Sequence, residues 1–462
     1  MCWNHTLNNQ LRIYTVLLFL LTACKQVQLH SDRPQALPQD PLIQVYFNHS
    51  EFSEYQENYR PLNRQGDDLE KEIVDTILQA KSTVDVAVQE LRLPRIAQAL
   101  VAKHKEGLQI RLILENNYSF PWSNLTPAQI AKMTPREKGR YQEFYTFVDI
   151  NKDKKLSPEE INQRDALVIL LNGKVPIIDD RKDASQGSDL MHHKFVIVDN
   201  RIVILTSANF TLSDTTGDYS NNQSLGNANN LLKIDSPEVA NIFAEEFNLM
   251  WNDKKFGLKK PLRKPKTINL GDSKITIQFS PTSPTQPWIF SSNGLISEIL
   301  TTATKSIDMA LFVFSEQKLA NVLEKRFQDN VNIRTLVEPS FAYRYYSDVL
   351  DMMGIALKNK CKYELDNHPW QKGITTVGIP ILPKGDLLHH KFAVIDGKTI
   401  ITGSHNWSVA ANNGNDETVI VIENPKVSAH YLREFERLYK NARVGVPENI
   451  QNKIKAQEKN CK

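Results

Sequence analysis

The sequence predicts an α/β protein: two half-domains, each a mixed sheet flanked by helices, packed as a pseudodimer within one chain. Three observations carry that expectation. First, one polar phrase is written twice. His192-His193-Lys194-Phe195-Val196-Ile197-Val198-Asp199 is followed by Thr206-Ser207-Ala208-Asn209, and His389-His390-Lys391-Phe392-Ala393-Val394-Ile395-Asp396 by Gly403-Ser404-His405-Asn406. Second, Ala80-Lys81-Ser82-Thr83-Val84-Asp85 returns as Ala303-Thr304-Lys305-Ser306-Ile307-Asp308. Gln109 to Glu115 likewise returns as Asn332 to Glu338, and both pairs are offset by 223 positions (308 − 85 and 334 − 111). Third, a helix-like segment closes each copy, Ser236-Pro237 to Phe247 and Asn424-Pro425 to Phe435. Serine or asparagine before proline is a strong helix start, because the side chain caps the first turn and proline fits the first helical position. Each half thus reads helix, strand, helix, strand, variable region, strand, strand, helix, with a site expected where the halves meet.

The elements follow in chain order. Residues 1–23 read as an export signal: the apolar run Val16-Leu17-Leu18-Phe19-Leu20-Leu21 follows Arg12 and is too short to span a bilayer. It ends in Leu21-Thr22-Ala23-Cys24, which resembles the bacterial lipoprotein box, so Cys24 is expected to carry lipid and anchor the exported chain to a membrane. The competing reading is an ordinary secretory peptide, which leaves the protein secreted or periplasmic. Residues 24–42 are rich in Gln, Pro and Asp and read as a tether.

The first half is expected over residues 43–253, with an insertion at about 119–165. Arg111 and His192 are 81 positions apart, whereas Arg334 and His389 are 55 apart, which leaves 26 extra residues (81 − 55). Within them, Asp149 to Glu160 matches an EF-hand calcium loop at positions 1, 3, 5, 9 and 12, with an apolar residue at position 8. Asp149, Asn151 and Asp153 would give side-chain oxygens and Lys155 its carbonyl. Ser157 would bind directly or through water, and Glu160 would bind as a bidentate carboxylate. Against Ca2+ stands Lys154 at position 6, where the turn favours glycine. The competing reading is a solvated acidic loop between two helices.

In each repeated phrase the run after the lysine is apolar and β-branched, as in a buried strand. Strand side chains alternate faces, so His192 and Lys194 project together, and so do His389 and Lys391. The following Ser207 and Asn209, or Ser404 and Asn406, would sit at a neighbouring strand end and add hydrogen bonds to phosphate oxygens. Asp199 and Asp396 lie too far along the strand to join the lysines and are expected to be structural.

These residues resemble the phospholipase D superfamily, whose signature is the H-x-K-x4-D block in duplicate. The resemblance implies a phosphohistidine mechanism in which one histidine attacks phosphorus and the other protonates the leaving alcohol. Lys194, Lys391, Asn209 and Asn406 would stabilise the equatorial oxygens. No metal cofactor is needed for that chemistry. Two departures stand out. Thr206 replaces the usual glycine and is expected to crowd its turn. Family members also carry an acid that orients the imidazole; Glu417 fits in the second half, whereas the first half reads Asn227-Ala228-Asn229-Asn230. That makes His389 the better-supported imidazole, although family habit makes His192 the nucleophile.

Residues 254–267 form a basic linker with two prolines, read as exposed, the alternative being a contact to lipid headgroups or polynucleotide. The second half is expected over 268–446 and a tail over 447–462. With Cys24 lipidated, Cys361 and Cys461 would either form a disulfide pinning that tail or remain two free cysteines. A formal net charge of +3 is not that of a dedicated nucleic-acid binder.

The leading expectation is a membrane-anchored hydrolase that cleaves phospholipid to phosphatidic acid and headgroup, acting as a monomer with an internal pseudodimer. The alternative is an exported nuclease with the same chemistry. Transfer to another alcohol, or a calcium-bound scaffold with a relic site, ranks lower.

Overall fold

The computed structural model describes residues 33–183 and 189–461. The export signal and Cys24 lie outside the described residues. From Leu37 onward the chain forms one unit.

The strands are short, apolar and β-branched, and their order is the same in both halves. The first half contributes β1 (Ile43–Phe47), the hairpin β2 (Glu54–Gln56) and β3 (Asn63–Gln65), then β4 (Thr83–Val88), β5 (Gln109–Leu114), β6 (Ile177–Asp179), β7 (Lys194–Val198), β8 (Ile202–Thr206) and β9 (Asn230–Asp235). The second contributes β10 (Lys266–Leu270), β11 (Ser273–Phe279), β12 (Ser306–Leu311), β13 (Phe314–Ser315), β14 (Asn332–Val337), β15 (Val377–Ile379), β16 (Lys391–Ile395), β17 (Thr399–Gly403), β18 (Trp407–Ser408), β19 (Thr418–Glu423) and β20 (Arg443–Val444). The first sheet runs β1-β9-β8-β7-β4-β5-β6. The second runs β10-β11-β19-β17-β16-β12-β14-β15-β20, the same order with one strand added at each edge. In each, the edge carrying β4-β5-β6 or β12-β14-β15 is parallel and the strands on the other side are antiparallel. This is a mixed α/β fold with two repeated halves.

The repeat copies element bounds. Strands β4 and β5, shifted by 223, give the limits of β12 and β14. In both halves a carboxylate and an arginine face each other across the parallel pair: Arg111 Nε bonds Asp85 at 2.6 Å and Arg334 Nε bonds Asp308 at 2.6 Å. The closing helices start as expected, Ser236 accepting from Val239 N–H and Asn424 from Lys426 and Val427 N–H.

The sheets contain strands that the four-strand reading of each half omits. Strands β6 and β15 are only three residues long, and β9 and β19 follow directly on polar stretches. Short strands of this kind carry too little periodicity to be separated from loop.

The halves share a core. Phe195, Phe243 and Phe247 of the first half pack in one cluster with Phe279, Phe392 and Tyr431 of the second. The linker is not wholly exposed as expected. Lys260 is buried, its ammonium between the carboxylates of Glu246 and Asp416, and Arg263 and Lys266 pair with Glu246 and Glu245. Burial of Lys260 follows from its place between two anions that have no water to screen them. At the far end, Cys361 and Cys461 form a disulfide that ties the helix Glu448–Asn460 to the second half. Among the described residues no helix is long and apolar enough to cross a membrane.

Candidate active site

Strands β7 and β16 each begin at the motif lysine, and both strands are buried throughout. Just before them the chain leaves its own sheet and pairs with the other half. His192 N–H donates to the Asp416 carbonyl at 3.0 Å and Asp416 N–H to the Leu190 carbonyl at 2.8 Å. In mirror fashion, His389 N–H donates to the Ala228 carbonyl at 3.1 Å and Ala228 N–H to the Leu387 carbonyl at 2.8 Å.

That pairing crosses the supports of the imidazoles. Glu417 reaches Nδ1 of His192 at 2.8 Å, and Asn229 Oδ1 reaches Nδ1 of His389 at 3.0 Å. The expectation that Glu417 supports the histidine of its own half is therefore corrected: His192 has the carboxylate and His389 the amide. The cause is the parallel bridge between Met191 and Asp416, which sets Glu417 beside the next residue, His192. The amide of Asn229 is held one way round, because its Nδ2 donates to the carbonyls of Asp214 and Asn227 while its oxygen accepts from Ser207 Oγ at 2.7 Å. With an acceptor at each Nδ1, both rings carry the proton there and present a free lone pair at Nε2.

The histidines and lysines form one buried basic cluster. Burial lowers the His192 pKa to about 4, with Glu417 opposing the shift. Burial and the charges of Lys391 and Lys194 hold His389 well below the ordinary imidazole value. Lys194 falls to about 8 through burial, and Lys391 falls well below its ordinary value through burial and the charge of Lys194. Glu417 is held low by His192, which overcomes its burial. Basic groups that repel one another in a low-dielectric pocket are stabilised by an anion, and a phosphodiester is one.

The remaining motif residues divide by task. Asn209 and Asn406 each end in a carboxamide oxygen without a hydrogen-bond partner, which leaves it available to a ligand. The serines do not reach outward as expected: Ser404 Oγ donates to Glu417 at 2.7 Å, just as Ser207 donates to Asn229. Asp199 and Asp396, both in the left-handed region, accept from three successive N–H groups at the start of β4 and β12. Thr206 does not crowd its turn. Gly403 sits at φ 133°, where a Cβ would lie 2.1 Å from the Thr418 carbonyl, but Thr206 avoids positive φ and donates its hydroxyl to the Asn230 carbonyl at 2.6 Å.

Several residues here were not found from the sequence. Gln89 Oε1 lies 3.5 Å from Lys194 Nζ. Its counterpart by the 223 offset is Phe312, which stacks edge-on to His389 with centroids 4.8 Å apart and places its face 4.9 Å from Lys391 Nζ. Phe341 packs on Phe312 at 4.9 Å, whereas its counterpart Tyr118 lies under Arg140 at 5.5 Å. One wall is thus aromatic and the other polar. Behind the strands, His193 and His390 bond Glu246 at 3.2 Å and Glu434 at 3.0 Å. Alignment of the two halves points to Gln89 and Phe312; nothing in either half alone does.

The acidic loop of the insertion lies between the helices Pro135–Val148 and Pro158–Arg164. Asp149 accepts from Asp153 and Lys154 N–H, Asn151 from Asp153 N–H, Asp153 from Lys155 N–H, and Glu160 from Ile150 and Asn151 N–H. Lys154 does adopt the left-handed conformation, at φ 65°. Ser157 and Glu160 have a second task as the capping box of the helix that follows. Among the described residues no cluster of three or more His, Cys, Asp or Glu side chains is placed to hold a metal ion.

The family described as cardiolipin synthase, PLD-like domain, matches residues 73–251 and 296–439. The chain belongs to this PLD-like family. Each matched segment contains one histidine–lysine pair, and strand pairing across the halves sets each histidine against the other half. Mitochondrial cardiolipin hydrolase of Mus musculus is 28% identical over 151 residues, which is 32% of this chain and 58% of that protein. A phospholipase D of Rickettsia bellii is 28% identical over 38% of this chain and 73% of its own length. The chain thus spans little more than half the length of the cardiolipin hydrolase it matches. Among solved structures, phosphatidylserine synthase of Haemophilus influenzae superposes with a TM-score of 0.52 at 11% identity, covering 92% of this chain and 96% of that one. This PLD-like chain shares its two-half fold.

Proposed function

We propose that the protein is a phospholipase D-type phosphodiesterase that hydrolyses phospholipid to phosphatidic acid and free headgroup. The observation that carries this is the pair of imidazoles with free Nε2 atoms, each fixed at Nδ1 by the opposite half, between two buried lysines. His192, backed by the Glu417 carboxylate, is the nucleophile. Its Nε2 attacks phosphorus as the bond to the headgroup oxygen breaks, and His389, protonated at Nε2, gives that oxygen its proton. His389 then takes a proton from water as the hydroxide oxygen displaces His192 from phosphorus. Lys194 and Lys391, with Asn209 and Asn406, hold the non-bridging oxygens.

Phospholipid is favoured by the aromatic wall of Phe312 and Phe341 beside His389. The basic linker offers a polynucleotide less than its composition suggests, since Lys260, Arg263 and Lys266 pair internally. In this proposal the exported chain is held at a membrane through lipid on Cys24 and acts as a monomer. The loop Asp149–Glu160 takes Ca2+ as a brace, outside the chemistry.

The test is turnover of phosphatidylcholine, cardiolipin and single- and double-stranded DNA without added divalent metal. His192→Ala and His389→Ala should each reduce headgroup release by about 10³-fold or more. Full activity in either variant would sink the paired-histidine mechanism. Cleavage of DNA alone would make the protein a nuclease.

A further inference from the structure

Two of the differences between the halves in the site are complementary. Glu417 directly precedes β19 as Asn229 directly precedes β9. The short helices Leu212–Thr215 and Val409–Asn413 begin three residues after Asn209 and Asn406, and the motif offset of 197 (389 − 192) maps Asp214 onto Ala411 (214 + 197). The second half thus has Glu417 and Ala411 where the first has Asn229 and Asp214. An acid is absent from one position and present at the other.

We propose that Asp214 is the displaced carboxylate of the site, a positioning residue that supports the protonated form of His389 from beside the Asn229 amide. This rests on the functional reading above, in which His389 is the general acid. Asp214 is buried, and its Oδ1 lies 3.9 Å from His389 Nδ1. Its Oδ2 accepts from the Asn209 N–H at 2.8 Å and its Oδ1 from Asn227 Nδ2 at 2.5 Å, so the carboxylate is fixed by neutral donors. The Asn229 amide touches both residues, its nitrogen on the main-chain carbonyl of Asp214 at 3.0 Å and its oxygen on the imidazole at 3.0 Å.

The surroundings give the carboxylate its importance. Beyond burial, the largest influences on His389 are Lys391, Lys194, His192 and His390, all of which disfavour the imidazolium. The aromatic edge of Phe312 supplies none of the missing negative charge. Asn229 can orient the ring but cannot neutralise it. Asp214 can, and its charge opposes the lowering of both lysine pKa values. Asp218 is the acidic neighbour of Asp214 itself. A carboxylate at this distance in a buried site strongly favours the imidazolium.

The experiment compares wild type, Asp214→Asn, Asn229→Asp and the double variant. It uses phosphatidylcholine, whose alkoxide leaving group needs a proton, and a p-nitrophenyl phosphodiester, whose leaving group does not. Because His192 is the more basic ring, the rising limb of the kcat/KM profile reports His389 and the falling limb His192. Removing the anion lowers the His389 pKa, so Asp214→Asn should move the rising limb about one pH unit lower and cut kcat/KM on phosphatidylcholine about tenfold at the plateau. It should leave the p-nitrophenyl ester within about threefold. Asn229→Asp should move the limb upward, and the double variant should recover phosphatidylcholine turnover. Equal losses on both substrates with an unshifted limb and no recovery would overturn the assignment and leave Asp214 a structural residue.

Imidazole titration of His389 by nitrogen-edited NMR reads the same coupling without turnover. A His389 pKa unchanged by either substitution overturns the proposal. A wild type that cleaves neither substrate while His389 still responds overturns only the functional reading.

Discussion

Glu417 and Asn229 occupy matching places before matching strands, and the imidazoles they hold differ for that reason. A neutral ring donating to an ionised carboxylate is more basic than one donating to an amide, because only the carboxylate stabilises the cation that develops at Nε2. In the proposed mechanism the nucleophile therefore falls to His192, a choice that the sequence leaves open. Glu417→Gln should cut turnover by about 10²-fold or more. With its carboxylate gone the His192 pKa falls, so the falling limb of the pH profile, which reports the more basic ring, should move lower. A falling limb that stays in place would show that Glu417 does not act on His192. At this scale the histidines, lysines and asparagines were legible because each obeys a strict spacing. The crossing was not legible, since no spacing within a half encodes which residue of the other half it meets.

At the scale of elements, β7 and β16 work because five consecutive residues are buried on both faces, which fixes the register of the histidine that precedes them. The matching turns reach one geometry by different means: glycine at 403 tolerates positive φ, and threonine at 206 substitutes a hydroxyl bond. The insertion is an element of its own, and through Arg140 it binds Glu90 beside Gln89 at the site. Its loop carries the calcium proposal. Adding Ca2+ should raise Tm by a few degrees, since saturation to about 100 times Kd is worth about 2.7 kcal/mol. Asp153→Ala should remove that rise with little change in the metal-free Tm, because Asp153 is exposed and caps only a local turn. No change in melting on adding Ca2+ would retire the site. Glu160 is the poorer test residue, since it also caps the next helix.

At the scale of the whole molecule, two sheets of one strand order meet so that each supplies the orienting group for the other's histidine. Lys260 fastens that meeting. It reaches Glu246 behind β7 in the first half and Asp416 beside Glu417 in the second, with all three side chains removed from water. Lys260→Met should cost about 3 kcal/mol, because it leaves two buried carboxylates short of a counter-charge. It should also lower turnover through the displaced Glu417 segment. An unchanged denaturation midpoint would show that the linker lysine is dispensable.

By itself the sequence determined what repetition and periodicity can carry: two α/β halves, their motif strands, their capped closing helices and the residues of the basic cluster. Those features are local, set by side-chain alternation and by caps within a few positions. Only the tertiary structure decided that Glu417 serves His192, that Asp214 stands near His389, that Phe312 packs on His389, and that Lys260 is buried. Each of those depends on contacts between residues far apart in the sequence. Lys260 is held by buried charge against charge, Asp214 by neutral donors and Phe312 by ring packing, and no local pattern records those partners.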